Sequence, residues 1–216
     1  MLIPRILSAL VLLPVALAAI WYGGAFFTAL VAVAAALMAW EWNRMVDSRV
    51  APRLYLFGMP YIAVPSAALV WLRPLPDGFQ TVLWLLCLVW ATDIGAYAAG
   101  RTIGGPKLMP RVSPKKTWAG LIGGVVSAAA VGAGVAAWLG LSALGFAVVS
   151  GGLAVVSQAG DLFESWVKRR FDVKDSSNII PGHGGVLDRV DGVLPVAVVV
   201  AALAWVQGGG ILTWRL

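Results

Sequence analysis

Apolar residues run along this chain in long blocks, each broken by a short polar or glycine- and proline-bearing segment. Blocks of about 20 apolar residues match the length a helix needs to cross the hydrocarbon core of a bilayer. The pattern predicts seven spans, at roughly 4–22, 24–45, 54–73, 79–100, 118–139, 141–166 and 191–208. Turn residues mark the breaks: Tyr22-Gly23-Gly24, the segment from Arg73 to Gly78 with Pro74 and Pro76, the stretch from Leu139 to Ser142, and Gly208-Gly209-Gly210. The first hairpin also fits a re-entrant segment. At the N-terminus an Arg, an apolar run and Ala16-Leu17-Ala18 share features of a secretory signal peptide. A second apolar run from Gly24 favours a first transmembrane helix instead. The expected fold is an all-α integral membrane protein, a polytopic bundle of about seven transmembrane helices.

Composition agrees. Of 216 residues, 60% are hydrophobic and only 12% charged, and the mean hydropathy is +0.87. Soluble domains carry about a quarter charged residues, so no separate soluble domain with its own core is expected. The net charge of +6 reads as cationic loops facing anionic headgroups, with no nucleic acid implied. Fourteen of the 16 Lys and Arg fall on one side of the predicted topology, from Arg5 through the 44–53, 101–116 and 168–189 segments; Arg73 and Arg215 fall on the other. That asymmetry places the N-terminus in the cytoplasm. The single cysteine, Cys87, excludes an intrachain disulfide.

Acidic residues are scarce, ten in all, and six lie between 161 and 191. Ser157, Asp161, Glu164, Ser165 and Lys168 recur at helical spacing and share one face of the sixth span. Asp188 and Asp191 project from one face where the seventh begins. A carboxylate at mid-membrane costs about 2.5–3.5 kcal/mol on insertion scales, so these groups need partners. One reading is an ion pair joining helices. The other has Asp161, Asp188 and Asp191 converging on a hard cation such as Mg²⁺, which relieves their repulsion.

Lys168, Arg169 and Lys174 add positive charge nearby. Pro181-Gly182-His183-Gly184-Gly185 adds a flexible backbone whose N–H groups can form an anion nest. His183, the only histidine, either orients neighbours by hydrogen bonding or acts as acid or base. Carboxylates, cations and glycine-rich backbone together suit phosphoryl or nucleotidyl transfer. A second polar stripe, Asp93, Tyr97 and Arg101, leads into Lys107 and Ser113-Pro114-Lys115-Lys116-Thr117-Trp118. It reads as headgroup anchoring at the interface, or as a cradle for an anionic headgroup or a nucleotide triphosphate. Glu41 reads as structural, paired with an Arg, and most tryptophans as interface anchors. The chain divides into N-terminal structural helices over 1–78 and a catalytic membrane region over 79–216, with cytoplasmic loops at 101–117 and 167–190.

From Ser165 through Lys168-Arg169, Lys174-Asp175, Ser177, Ile180-Pro181, His183-Gly184-Gly185 and Asp188-Arg189 to Asp191, the 27 positions resemble the signature of the phosphatidate cytidylyltransferases (CDP-diacylglycerol synthases) without departure. Gly160-Asp161-Leu162-Phe163-Glu164-Ser165 and the 93–120 segment also resemble that family. Ala119 departs from it, standing where members often carry a polar or acidic residue, and the N-terminal half is short.

The resemblance implies that phosphatidic acid and CTP give CDP-diacylglycerol and pyrophosphate with Mg²⁺, and it leaves room for a second metal ion. It implies Asp161, Asp188 and Asp191 as metal ligands, and Lys168, Arg169, Lys174 and His183 as catalytic groups on phosphates. Asp175 would orient Lys174 or meet the cytidine. Asp93, Tyr97, Arg101, Ser113, Lys115, Lys116, Thr117, Gly184, Gly185 and Arg189 would bind substrate. The implied setting is the inner membrane of a bacterium, with the site facing the cytoplasm, the lipid bilayer as partner and a homodimer as an option. Two other functions fit parts of the pattern: a lipid or polyprenol kinase using CTP, and a cation or anionic-lipid transporter.

Overall fold

The computed structural model of the chain describes residues 3–211; Arg215 and the side chain of Arg5, both used in the charge count, lie outside the described residues. The chain forms α1 (Ile3–Tyr22), α2 (Gly24–Met45), α3 (Pro52–Leu72), α4 (Gly78–Thr102), β1 (Lys107–Met109), β2 (Ser113–Thr117), α5 (Trp118–Leu139), α6 (Ala143–Arg170), the single turn α7 (Leu187–Val190) and α8 (Val193–Val206). Five helices, α2 to α6, are long and apolar enough to cross a membrane. The apolar α1 and the 14-residue α8 stand where the first and last spans were expected but fall outside that group.

Local chemistry sets the helix ends. Gly23, at φ 64°, breaks α1 from α2, and Arg73 donates from Nε to the Ile20 carbonyl at 2.8 Å and from Nη2 to that of Trp21 at 3.2 Å. The one described cation at the far end therefore satisfies the orphan carbonyls that close α1. Thr117 caps α5 by accepting from Gly120 N at 3.0 Å. Between α7 and α8 the backbone of Asp191 and Gly192 keeps helical dihedrals. Pro195 has no N–H to bond the Asp191 carbonyl, so the hydrogen-bond ladder lapses there and α8 starts two residues later than the predicted span.

The all-α expectation is corrected in one place. The loop expected over 101–117 folds into an antiparallel hairpin, Lys107 opposite Thr117 and Met109 opposite Ser113. Its strands of three and five residues are too short to leave an alternating signature.

Small residues let the long helices approach closely, as in membrane bundles generally. A Cβ added to Gly95 of α4 would overlap Ser127 of α5, and one on Gly132 of α5 would overlap Ser150 of α6. The main core gathers Trp84, Leu85, Leu88, Phe146, Leu153, Val196 and Val200. Trp84 is thus buried, and its indole N–H donates to Ser150 Oγ at 3.2 Å. A second cluster, Met38, Trp42, Met45, Ile62, Val167, Leu187 and Leu194, joins α2, α3, α6, α7 and α8. It forms the floor on which the 171–187 loop rests.

Candidate active site

Two polar assemblies meet at the end of the bundle that carries the hairpin and the 171–187 loop. The first is a cavity of about 430 Å³ lined by Asp93, Tyr97 and Arg101 of α4, Lys115, Lys116 and Thr117 of β2, and Gln158 and Asp161 of α6. The stripe of Asp93, Tyr97 and Arg101 on α4 therefore faces Asp161 of α6 across one space. Lys116 Nζ meets Asp161 Oδ2 at 2.7 Å, and Asp161 Oδ1 accepts from Ser165 Oγ at 3.3 Å. Arg101 donates to Tyr97 Oη at 3.4 Å. Among the described residues neither Lys115 nor Arg101 forms an ion pair, so both cations of this wall stay uncommitted. Arg189, expected at the substrate, is exposed on α7 and does not line the cavity.

The second assembly holds the loop. Lys168 Nζ bridges Glu164 Oε2 at 2.9 Å and Asp188 Oδ1 at 2.6 Å. Asp188 Oδ2 accepts from Ser176 N at 2.9 Å, Ser176 Oγ at 2.9 Å and Gly185 N at 2.8 Å. Burial alone would push the Asp188 carboxyl up, but Lys168, Gly185 and Ser176 hold it below the usual carboxylate range. The stabilisation from Asp188 is present above the ordinary aspartate value and is lost only as pH falls through the depressed one. Gly184, at φ 85°, leaves so little room that a Cβ would lie 2.8 Å from Asp188 Oδ2.

Several expected placements change. Among the described residues no three acidic, His or Cys side chains form a ready set of metal ligands; Lys116 meets Asp161 and Lys168 meets Asp188. The glycine-rich loop does form an anion nest, but the anions in it are the protein's own: Gly185 N points at Asp188, and Val186 N and Leu187 N point at Glu41. The reason is elementary, since the first N–H groups of a helix need acceptors. Among the described residues Glu41 pairs with no Arg; Arg44 stacks over Trp40 instead, 4.7 Å from the ring centroid.

His183 Nδ1 lies 2.7 Å from Ser8 Oγ of α1, an orienting contact. Ser113 pairs within the hairpin and does not line the cavity, while Thr117 Oγ1 serves as a helix cap. Lys174 and Asp175 stand exposed on the outer side of the loop, and Arg169 donates to the Val173 carbonyl at 3.2 Å. Glu41, Ser8, Ser176 and Gln158 are positions that sequence reasoning left out of the site. The one signal for Glu41 was an acidic residue at the end of an apolar helix without a cation that took it up.

Comparison with known proteins adds the chemistry. The family model described as Cytidylyltransferase family matches residues 3–54 and 51–207. The phosphatidate cytidylyltransferase of Brucella suis biovar 1 (strain 1330) is 36% identical, with 89% of each chain covered. Those of Rickettsia bellii (strain RML369-C) and Rickettsia felis (strain ATCC VR-1525 / URRWXCal2) are 39% and 37% identical, covering 89% of this chain and 86% and 88% of theirs.

Proposed function

This chain belongs to the cytidylyltransferase family, and on that footing we propose that it transfers a cytidylyl group from CTP to phosphatidic acid. The observation that carries the reading is the cavity in which Asp93 and Asp161 face Arg101, Lys115 and Lys116. Such a wall suits a polyphosphate held next to carboxylates. A phosphate oxygen of phosphatidic acid attacks the α-phosphorus of CTP in line. The new P–O bond forms as the bond to the β-phosphate bridging oxygen breaks, and pyrophosphate leaves. The lipid supplies the nucleophile, so the protein positions the reactants and offsets charge. Lys115 and Arg101 are the cations best placed to meet the triphosphate, with Lys116 reaching the reacting phosphates from its contact with Asp161. Lys168 is fixed by Glu164 and Asp188 and orders the loop.

The residues fit a divalent cation. Asp161 and Asp188 each meet one lysine, at 2.7 and 2.6 Å, and among the described residues Asp191 forms no salt bridge. Glu164 Oε1 is buried with no hydrogen-bond donor. Asp161, Asp191 and the oxygen of Asp188 that faces Lys168 are the groups that would hold Mg²⁺, which would supply charge neutralisation on the phosphates. We further infer seven crossings in a bacterial inner membrane, with the site facing the cytoplasm. The support is the fourteen-to-two division of cations.

The test is purified protein in detergent with phosphatidic acid, Mg²⁺ and each nucleoside triphosphate in turn. Pyrophosphate and a nucleotide-bearing lipid should form with CTP; neither forming would overturn the reading. Lys115→Ala is expected to raise the KM for CTP about tenfold with kcat little changed, because it removes binding common to ground and transition states. Initial rates across a CTP series check this. Unaltered kinetics would return the hairpin to headgroup anchoring.

A further inference from the structure

Glu41 is 0% exposed and, among the described residues, has no salt bridge. Its oxygens meet four hydrogen-bond donors instead. Oε1 accepts from Ser177 Oγ at 2.7 Å and Val186 N at 2.8 Å; Oε2 accepts from Leu187 N at 2.8 Å and shares the single proton of Ser176 Oγ, 3.1 Å away, with Asp188 Oδ2. We propose that Glu41 is a positioning residue for the transfer reaction, a role that rests on the cytidylyltransferase reading above. It fixes the 176–187 loop, and through it Asp188 and Lys168, against the cavity.

Three observations support this. First, all four donors come from the loop and none from another long helix, so the carboxylate secures the loop and not the bundle. Second, each oxygen faces one backbone N–H. A hydroxyl can rotate away from a mismatched partner, but a main-chain N–H cannot. A glutamine here would turn its NH₂ against an N–H in either orientation, leaving a buried donor unmet. The site therefore demands a carboxylate and not merely a polar side chain of that size. Third, a Cβ on Gly185 would overlap both Ser176 Oγ and Glu41 Oε1, so the loop backbone is drawn down as far as atoms allow.

The contact also reaches the lysine. Ser176 Oγ lies 3.1 Å from Glu41 Oε2 and 2.9 Å from Asp188 Oδ2, and Asp188 Oδ1 lies 2.6 Å from Lys168 Nζ. A displaced Glu41 thus shifts Lys168 through two side chains. Displacements of about 1 Å away from the reacting atoms can cost about a hundredfold in rate.

The experiment uses the full chain purified in detergent, with CTP and phosphatidic acid. Glu41→Gln should lower kcat about a hundredfold with the KM for CTP within about threefold of wild type. Gly185→Ala, which attacks the same contact from the loop side, should give the same split. Leu72→Ala, a truncation in the main core beside Arg73 and away from the loop, producing a comparable fall in Tm, should keep kcat near normal. Glu41→Gln with kcat within threefold of wild type would overturn the proposal. So would kcat losses that simply follow Tm in all three variants. Should Glu41→Gln fail to insert, Ser177→Ala carries the test, with kcat expected about three- to tenfold lower and Tm lowered no more than by the core truncation, and an unchanged kcat overturning the role. Wild-type protein inert towards CTP and phosphatidic acid would instead strike at the reading beneath it.

Discussion

Asp188→Asn is expected to lower turnover about a thousandfold and to lower Tm with it, while the protein still inserts. Asp188 presents acceptors on both sides: Lys168 on Oδ1, and Ser176 N, Ser176 Oγ and Gly185 N on Oδ2. An asparagine has to turn its NH₂ towards one of these sets, so a donor faces a donor whichever way the amide lies. The buried Lys168 then keeps only Glu164 as an anionic partner. Removing one partner of a buried pair costs about 3–5 kcal/mol, enough to let the loop leave its place. Initial rates and thermal unfolding in detergent check both halves. Normal turnover would remove Asp188 from the site.

Asp161→Asn should also reduce turnover by about a hundred- to a thousandfold, but with Tm within about 2 °C of wild type. The contrast follows from exposure. The Lys116–Asp161 pair is partly open to solvent, with side-chain exposures of 21% and 34%, and such pairs add little to stability. Asp161 nevertheless lines the cavity and meets Lys116. Losing its charge alters the field on the phosphates and removes a proposed cation ligand. The same two measurements decide it: activity within tenfold of wild type would end its assignment to the site.

Much of this was legible because helices print their period into sequence. The Asp93, Tyr97 and Arg101 stripe and the Asp161 to Lys168 stripe each follow from spacings of three and four; the structure sets the first and Asp161 around one cavity and gives Glu164 and Lys168 to the neighbouring assembly. Span limits followed from apolar length, closely for α2 and α5. Glu41 was misread because its partners lie 135 to 146 residues away, and no local pattern records which loop N–H groups a helix end will receive. The contact of His183 with Ser8 spans 175 residues and was hidden for the same reason. The glycine-rich loop was recognised as an anion nest, yet composition alone does not say whether its anion arrives with a substrate or on the protein's own α2. The N-terminal helices, read as structural, hold that loop through Ser8 of α1 and Glu41 of α2.

Phosphorus labelling tests the central claim most directly. Purified protein is given phosphatidic acid and Mg²⁺ with CTP labelled in either the α- or the γ-phosphate, and the lipid fraction is counted. Cytidylyl transfer predicts α-label in the lipid and γ-label in released pyrophosphate. Label from the γ-phosphate in the lipid, with none from the α-phosphate, would contradict the account and make the protein a lipid kinase.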